Sequence, residues 1–374
     1  MHIKKLSIQN FRNLEEISLE FPGGPQLLIG RNAQGKTSLL ESLYFLATST
    51  SHRTRLTREL IRSRAETAFV RAEFVSEGVQ HTLSAGLDGK TRRFRLDGEV
   101  LQKSADLYGH LKAVFFSPED LEFVTGSPNI RRRALDLGLC QKKPRMIGHL
   151  LDYRRALKQR NAILKQNLRS RESAHLLQAW EPLLVQEGAI VLRERARYCL
   201  DLLRLTAGYY SHLTQSLEEL RGEYRASATR DHWKDPEEIP DLKTLENTFL
   251  QNLRVHLDRD LALRTTTCGP HRDDIVLTIS GSSAHRYASQ GQKRSIALSA
   301  KLAERDLLVE GQESPVLLVD DVTHEMDQGR CVRFFEKILS NSQVFFTFTE
   351  TLGHRGLLEG GTVWRVEGGR ITGD

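Results

Sequence analysis

The feature that most constrains this chain is a glycine-rich segment between an apolar run and an amphipathic run. Residues 30–37 fit the pattern G-x-x-x-x-G-K-[ST]. The four residues before them, 26–29, predict a buried strand, and the apolar spacing over 39–46 predicts a helix. A strand, a glycine loop and a helix in this order indicate an α/β fold. The loop residues are Gly30, Arg31, Asn32, Ala33, Gln34, Gly35, Lys36 and Thr37.

This loop has the residue types that hold a nucleotide phosphate. Glycines allow backbone N–H groups to turn inward around an anion, and the following helix directs the positive end of its dipole toward that anion. Lys36 is expected to reach the β- and γ-phosphate oxygens, and the Thr37 hydroxyl is expected to bind Mg²⁺. The alternative is an ordinary turn that happens to contain glycine and lysine.

A second apolar run ends in two acids. Val316-Leu317-Leu318-Val319 predicts a buried strand, followed at once by Asp320 and Asp321. We expect Asp320 to support the Mg²⁺ ion, and Asp321 to orient or deprotonate the attacking water as the catalytic carboxylate. The alternative is that the two acids only begin a loop. The sequence contains no further acidic cluster that would favour a nuclease.

A third candidate segment precedes the predicted helix over 293–309. Its residues are Ser289, Gln290, Gly291 and Gln292. A small hydroxyl and a glycine lie here beside unpaired helix N–H groups, which predicts a second anion site. The alternative is a simple helix cap, which is the usual role of such a sequence.

Positive charge is concentrated rather than spread along the chain. The formal net charge is +6, yet residues 131–171 alone contain 13 Lys and Arg and only two Asp. A smaller arginine cluster lies at 53–64. Such density suits a phosphate-backbone partner, whereas the alternative is a solvated helix face. The residues predicted to contact DNA are Arg131, Arg132, Arg133, Lys142 and Lys143.

Several classes of protein are excluded by composition. No apolar run approaches the roughly 18 residues that a membrane span needs. The first residues alternate between apolar and polar, as in a strand, and do not form the apolar block of a signal peptide. The four cysteines are far apart, which favours buried thiols over a zinc site or disulfides. We therefore expect a cytoplasmic protein without a membrane partner.

Apolar spacing changes along the chain from strand-like to helical and back. Strand and hairpin patterns fill the first part, helical stripes dominate 129–235, and strands return at 275–279, 316–319 and 344–348. We predict an α/β head with a mixed sheet, formed by 1–118 and 264–374, and an all-helical insert domain at 119–263.

Together, these elements resemble the ABC-type ATPases, and within their chromosome-maintenance branch the RecF family of bacterial recombination mediators. The similarity runs the length of the chain. The segments that carry it, besides the three described above, are 10–13 (Asn-Phe-Arg-Asn), 51–54 (Ser-His-Arg-Thr), 117–121 (Ser-Pro-Glu-Asp-Leu), 126–136 (from Gly-Ser-Pro to Leu-Asp) and 269–274 (Gly-Pro-His-Arg-Asp-Asp).

The resemblance implies an ATP- and Mg²⁺-dependent homodimer, with each P-loop capped by residues 289–292 of the other copy. It further implies slow, DNA-stimulated ATP hydrolysis that acts as a switch, binding to duplex DNA near single-strand gaps, and cooperation with RecO and RecR in placing RecA on DNA. The chain departs from the family pattern at 324–327, His-Glu-Met-Asp. The residue that senses the γ-phosphate is Thr347 or Thr349.

Rival functions remain for a head of this type. One is another repair ATPase of the same branch, and another is the ATPase subunit of a transporter, against which the basic insert argues. A protein with long coiled-coil arms is excluded, since about 110 inserted residues in two antiparallel helices reach only some 80 Å. The last rival is a protein whose nucleotide site is inactive. The presence of the expected site residues argues against it, namely Lys36, Thr37, Asp320 and Asp321.

Overall fold

The fold was analysed in a computed structural model that describes residues 1–166, 176–215, 218–322, 326–340, 342–349 and 360–373. Internal contacts divide the chain into two compact units. The head unit contains Met1–Asp120, His212–Thr214 and Lys301–Asp374, and the insert unit contains Leu121–Ser211 and Gln215–Ala300. Each unit mixes helices and strands, so the predicted α/β class is confirmed.

The head unit contains one antiparallel sheet with the strand order β2-β1-β4-β5-β6-β7. Apolar and polar residues alternate along its strands, because one face of the sheet is buried and the other faces solvent. In β1, for example, Ile3, Leu6 and Ile8 are fully buried. The strands are β1 (His2–Phe11), β2 (Leu14–Glu20), β4 (Ala68–Ser76), β5 (Val79–Leu87), β6 (Arg92–Leu96) and β7 (Glu99–Val100).

A second sheet of the head unit has the order β16-β15-β3-β14-β13-β8. Its strands from β15 to β8 are parallel, and β16 alone is antiparallel. The central strands are continuous apolar runs because helices cover both faces of such a sheet. The strands are β3 (Gln26–Ile29), β8 (Ala113–Phe116), β13 (Val316–Asp320), β14 (Val344–Phe348), β15 (Thr362–Glu367) and β16 (Arg370–Gly373).

One helix of the head unit begins at the end of the glycine-rich loop. Helix α1 (Lys36–Thr48) is almost entirely buried, as the spacing of its apolar residues predicts. Because β3 and β13 are parallel and separated only by β14, their carboxyl ends meet at one edge of the sheet. The sheet therefore brings residues 30–37 and 320–321 together. Helix α10 (Gln328–Ile338) follows β13.

The insert unit is mainly helical, but the prediction that the insert is all-helical is wrong. A four-stranded antiparallel sheet with the order β10-β9-β11-β12 lies in this unit. Its strands are β9 (Leu220–Ala226), β10 (Asp231–Trp233), β11 (Asp274–Ile279) and β12 (Ser282–Ser283). Pairing of β9 with β11 draws residues 264–300 into the insert unit, whereas the sequence pattern assigns them to the head.

The helices of the insert unit confirm the helical stripes. Residues 242–263 form two helices that are separated at His256. The last helix begins at Gln290, three residues earlier than expected. The helices are α2 (Glu122–Thr125), α3 (Pro128–Lys142), α4 (Met146–Leu164), α5 (Glu181–Thr214), α6 (Leu242–Val255), α7 (Leu257–Leu263), α8 (Ala284–Tyr287) and α9 (Gln290–Leu308).

The four cysteines lie in the core of the fold. Cys140, Cys199, Cys268 and Cys331 are all free and buried, which confirms that they fill the apolar core. Burial raises the pKa of the Cys140 thiol to about 12 and that of Cys331 to about 11. Among the described helices, none has both the length and the apolar character needed to span a membrane.

Candidate nucleotide-binding site

The backbone of residues 30–37 is held by glycines at two points. At Gly30 a Cβ atom would clash with the carbonyl oxygen of Val366 in β15, so only glycine fits. Gly35, which precedes α1, has φ +120°, a conformation that L side chains rarely adopt. The loop is also tied to the β15–β16 turn, because Gly368 N donates to Gln34 Oε1 (2.6 Å).

Lys36 lies over this loop with its ammonium pointing back at the chain. Its Nζ donates to the carbonyl oxygens of Gly30 (2.5 Å) and Arg31 (2.8 Å). Burial lowers the pKa of Lys36, while the nearby Asp321 and Asp320 carboxylates raise it. These two carbonyls hold the Lys36 ammonium at the place where the sequence predicts a nucleotide phosphate.

Asp320, at the end of β13, is hydrogen-bonded both to the end of the loop and to the neighbouring strand β14. Its Oδ1 accepts hydrogen bonds from the hydroxyls of Thr37 (3.0 Å) and Thr347 (2.7 Å). Burial raises the pKa of the Asp320 carboxyl, and these two hydroxyl donors oppose that shift. A carboxylate and a hydroxyl oxygen converging at a strand end are the ligand types that Mg²⁺ prefers, so Thr37 and Asp320 fit the predicted metal site.

Asp321 lies one residue beyond the strand, with φ +52°. Its backbone N–H donates to Thr347 Oγ1 (3.1 Å), so Thr347 bridges the two acids. Thr347 and Thr349 are the two candidates for the residue that senses the γ-phosphate. In this structure Thr347 is hydrogen-bonded to both acids, and Thr349 lies directly after β14. His324 and Glu325, where the sequence departs from the family pattern, lie outside the described residues.

A cavity of about 590 Å³ opens over these groups in the head unit. Residues 32–37 and both acids line it, whereas Gly30 and Arg31 contribute through the carbonyls that hold Lys36. Other residues that line the cavity include Arg12, Asn13 and Arg53. They lie in the segments 10–13 and 51–54 that carry the family similarity, and Arg53 also belongs to the arginine cluster at 53–64.

Two of these residues brace the loop. Asn13 Nδ2 donates to the carbonyl of Ala33 (3.1 Å), and its Oδ1 accepts from the Ser38 hydroxyl (2.7 Å). Arg12 makes a two-pronged ion pair with the buried Glu41 of α1, at 2.9 and 2.7 Å. The end of β1 thus fixes both the loop and the first turns of α1.

The segment 289–292 lies in the insert unit and forms a reciprocal helix cap. Ser289 N donates to Gln292 Oε1 (2.7 Å), and Gln292 N donates to Ser289 Oγ (3.2 Å). Gln292 Nε2 also donates to both Glu218 oxygens, each at 2.9 Å. The capping alternative is therefore realised, and Ser289 and Gln290 remain exposed at the start of α9.

The predicted DNA contacts differ in their surroundings. Arg131 is buried and makes a two-pronged ion pair with Asp274 (2.7 and 3.0 Å), and Arg132 donates to the carbonyl of Asp273 (2.6 Å). The buried Arg131 guanidinium thus holds the insert unit together, whereas Arg132 is only half-buried, and a DNA contact by either residue stays a prediction. Arg133 and Lys143 are exposed, and Lys142 is half-buried. Lys143 pairs with Glu194, and Arg169 and Arg171 lie outside the described residues.

A parallel sheet with this loop on one strand and an acidic pair on another defines the class of P-loop nucleotide-binding proteins. A family model described as the RecF/RecN/SMC N terminal domain matches residues 2–366. The DNA replication and repair protein RecF of Lachnoclostridium phytofermentans is 36% identical over 91% of this chain and 90% of its own. The RecF of Streptococcus suis is 35% identical over 100% and 99%.

Solved structures agree with the sequence relatives. A structure of the recombination mediator protein RecF with ATP, in the RecFOR pathway, has a TM-score of 0.89 at 30% identity and covers 100% of this chain and 99% of its own. An Smc head domain from Pyrococcus furiosus shares only the fold, with a TM-score of 0.54 at 13% identity, over 100% of this chain and 96% of its own. The chain belongs to the RecF family of SMC-like, ABC-type ATPases. The resemblance seen in the sequence is confirmed.

Proposed function

We propose that this protein is an ATP-dependent DNA-binding protein of replication and recombinational repair, and that slow ATP hydrolysis switches it between states. The convergence of Lys36, Thr37 and Asp320 at one sheet edge carries the proposal, because it supplies both the phosphate and the metal ligands. Similarity to RecF proteins over the whole chain supports the DNA role.

Each residue of the site has a part in the proposed reaction. Lys36 exchanges its two carbonyl partners for the β- and γ-phosphate oxygens of ATP. Thr37 and Asp320 would hold Mg²⁺, which neutralises the charge that develops between these phosphates. Asp321 orients a water molecule and accepts its proton as the water oxygen bonds to the γ-phosphorus. The bond to the β,γ-bridging oxygen breaks, and ADP and inorganic phosphate leave.

A second copy of the chain completes this site in the proposal. The Ser289–Gln292 segment at the start of α9, in which Ser289 and Gln290 are exposed, would present the helix N-terminus and the Ser289 hydroxyl to the γ-phosphate bound by the other copy. ATP then links two copies, and its hydrolysis releases them. RecO and RecR are proposed partners of the dimer at gapped DNA, and RecA is the protein they load.

ATP is expected to convert the protein from a monomer to a dimer. Light scattering measures the mass of the protein in solution without nucleotide, with ADP and with ATP. Ser289→Arg should keep ATP binding but stay monomeric, because a long cation replaces the small hydroxyl at the exposed cap. Ser289→Ala is the matched comparison, because it removes the same hydroxyl without adding bulk or charge, and it should weaken the dimer less than Ser289→Arg does. A Ser289→Arg variant that dimerises normally would contradict capping by the second copy.

Duplex affinity is expected to fall steeply with salt, because each neutralised phosphate releases a counterion. Titration of a labelled duplex with ATP present, between about 50 and 200 mM salt, should show a loss on the order of 10³-fold if six or more phosphates are contacted. Affinity that is unchanged over this range would mean that the arginine clusters are ordinary surface charge.

A further inference from the structure

Three arginines come together on the solvent face of the antiparallel sheet in the head unit. Arg71 lies in β4, and Arg93 and Arg95 lie in β6. The intervening strand β5 pairs with both, so that Arg71 and Arg95 lie on either side of Ser84. In the next row of the sheet, Arg93 lies opposite Gly86. All three arginines are exposed, whereas the other face of the sheet is buried in the apolar core. We call these three residues the arginine face.

The surface between these arginines is low and open. Ser84 has a short side chain, and a Cβ atom added at Gly86 would meet nothing within 4 Å. Neighbouring strands lie about 4.8 Å apart, so the backbones of Arg71 and Arg95 are about 10 Å apart across the sheet. Arg93 and Arg95 are about 7 Å apart along their strand. A partner can therefore approach the sheet and meet guanidinium groups from two directions.

Much of this positive charge is not neutralised within the chain. Arg71 has one carboxylate partner, Glu73, at 3.1 Å, and the Arg71 side chain is still 48% exposed. Neither Arg93 nor Arg95 forms a salt bridge with any residue that the structure describes. Asp88, in the turn between β5 and β6, accepts hydrogen bonds from the backbone and hydroxyl of Thr91, both at 2.7 Å. Two guanidinium groups are thus available to an anionic partner.

The arginine cluster at 53–64 lies against the end of the sheet where β6 begins. Arg92 Nε donates to Thr57 Oγ1 (3.0 Å), and Arg92 Nη2 donates to the carbonyl of Arg55 (3.2 Å). Arg58 Cδ would lie 3.5 Å from a Cβ atom added at Gly89, in the turn before β6. Arg55 and Arg58 are both exposed. Folding therefore joins two groups of arginines that are separate in the sequence into one positively charged surface.

The phosphate backbone of duplex DNA is the partner that this surface fits. A guanidinium group can bind a phosphate through two parallel hydrogen bonds. A rigid sheet presents such groups with little loss of conformational entropy on binding. Single-stranded DNA is held instead by several aromatic side chains on which its bases stack. Among the outward side chains of β4, β5 and β6, all of which the structure describes, only Phe69 is aromatic.

We propose that Arg71, Arg93 and Arg95 bind the phosphate backbone of duplex DNA, and that Arg55 and Arg58 extend this surface. The inference rests on the proposed function and gives DNA binding a location on the head unit. It is distinct from the contacts that the sequence predicts in the insert unit. None of these five arginines lines the nucleotide cavity, so DNA held here leaves that cavity open to ATP.

The test titrates a labelled duplex with the full-length protein and ATP, between about 50 and 200 mM salt. Arg93→Gln combined with Arg95→Gln should weaken binding at least tenfold at about 100 mM salt. The slope of log affinity against log salt should fall by about 2, because each phosphate contact contributes about 0.9. Arg204→Gln combined with Arg221→Gln is the matched control. It removes the same charge from two exposed arginines of the insert unit and should change neither quantity.

A second variant leaves every arginine in place. Gly86→Glu puts a carboxylate opposite Arg93, where the space above the strand is open. It should weaken duplex binding about as much as the loss of one arginine, whereas Gly86→Gln, which is similar in size but neutral, should not. ATP binding and the thermal midpoint should stay unchanged in all these variants, since the substituted residues lie on the surface and outside the nucleotide cavity.

The possible failures can be told apart. If the unchanged protein binds the duplex, and the Arg93 and Arg95 double variant binds it as tightly and with the same salt slope, the arginine face is refuted while the proposed function stands. Equal losses in the double variant and its control would also refute it, because only net charge would matter. A loss seen with a labelled single strand but not with the duplex would refute the assignment to duplex DNA. If the unchanged protein does not bind the duplex with ATP, the proposed function and the arginine face are both refuted.

Discussion

Replacing Lys36 with alanine is expected to weaken ATP binding at least 100-fold. Its buried ammonium now bonds two loop carbonyls, and ATP offers charged phosphate oxygens at the same place. A hydrogen bond between charged groups contributes about 1.5–3 kcal/mol, so two of them correspond to about 100-fold or more. Titration with a fluorescent ATP analogue measures the change.

The control variants separate the charge from the geometry. Lys36→Arg should keep part of the ATP affinity and lose hydrolysis, because its guanidinium has a positive charge but not the compact shape of the ammonium. Lys90→Ala removes an exposed lysine from a turn of the head unit and should change neither property. A Lys36→Ala variant that binds ATP as tightly as the unchanged protein would refute the phosphate role of Lys36.

Asp260→Asn is expected to destabilise the insert unit by about 3–5 kcal/mol, because it leaves the fully buried Arg160 charge without its counter-ion. Asp260 accepts from Arg160 Nη1 (2.6 Å) and from the backbone and hydroxyl of Thr267 (2.8 and 2.6 Å). Urea unfolding followed by tryptophan fluorescence measures this loss, with the buried Trp233 as a reporter in the same unit.

A surface pair provides the matched control. Asp201 lies 3.5 Å from Arg204, and the Arg204 side chain is largely exposed. Asp201→Asn should cost less than about 1 kcal/mol, because water screens the pair. Replacing only the charge, as Arg160→Met together with Asp260→Asn, should recover part of the lost stability, because no unpaired charge is left and the asparagine oxygen still accepts from Thr267. Equal effects of Asp260→Asn and Asp201→Asn would contradict the importance of the buried charge.

The two segments that meet at the candidate site were predictable because their signals are local. Gly30 to Thr37 are contiguous, and an apolar strand leads directly to Asp320. The parallel sheet then brings the two segments together, a consequence of topology rather than of any single contact. The bracing roles of Arg12 and Asn13 were not predictable, because their partners Glu41 and Ala33 lie 20 to 29 residues away.

Counting charges could not distinguish buried from exposed arginines. Arg131 and Arg133 look alike in the sequence, yet the first is paired with Asp274, 143 residues further on, and the second is exposed. The insert boundary was misplaced for a similar reason. Strand β9 lies among helical patterns in the sequence, and only its pairing with β11 shows that residues 274–279 belong beside it.

The parallel sheet of the head unit determines when the nucleotide-binding site can form during synthesis. The loop at 30–37 is made early, but the strands that flank β3 come from 344–348 and 362–367. Asp320 is made only with β13, and the backbone N–H of Gly368, which donates to Gln34 Oε1, is made later still. Synthesis must therefore pass residue 320 before the acidic pair can join the loop, and residue 368 before the loop is braced by that hydrogen bond. A chain that stopped between residues 37 and 320 would contain the loop without the carboxylates that lie beside it.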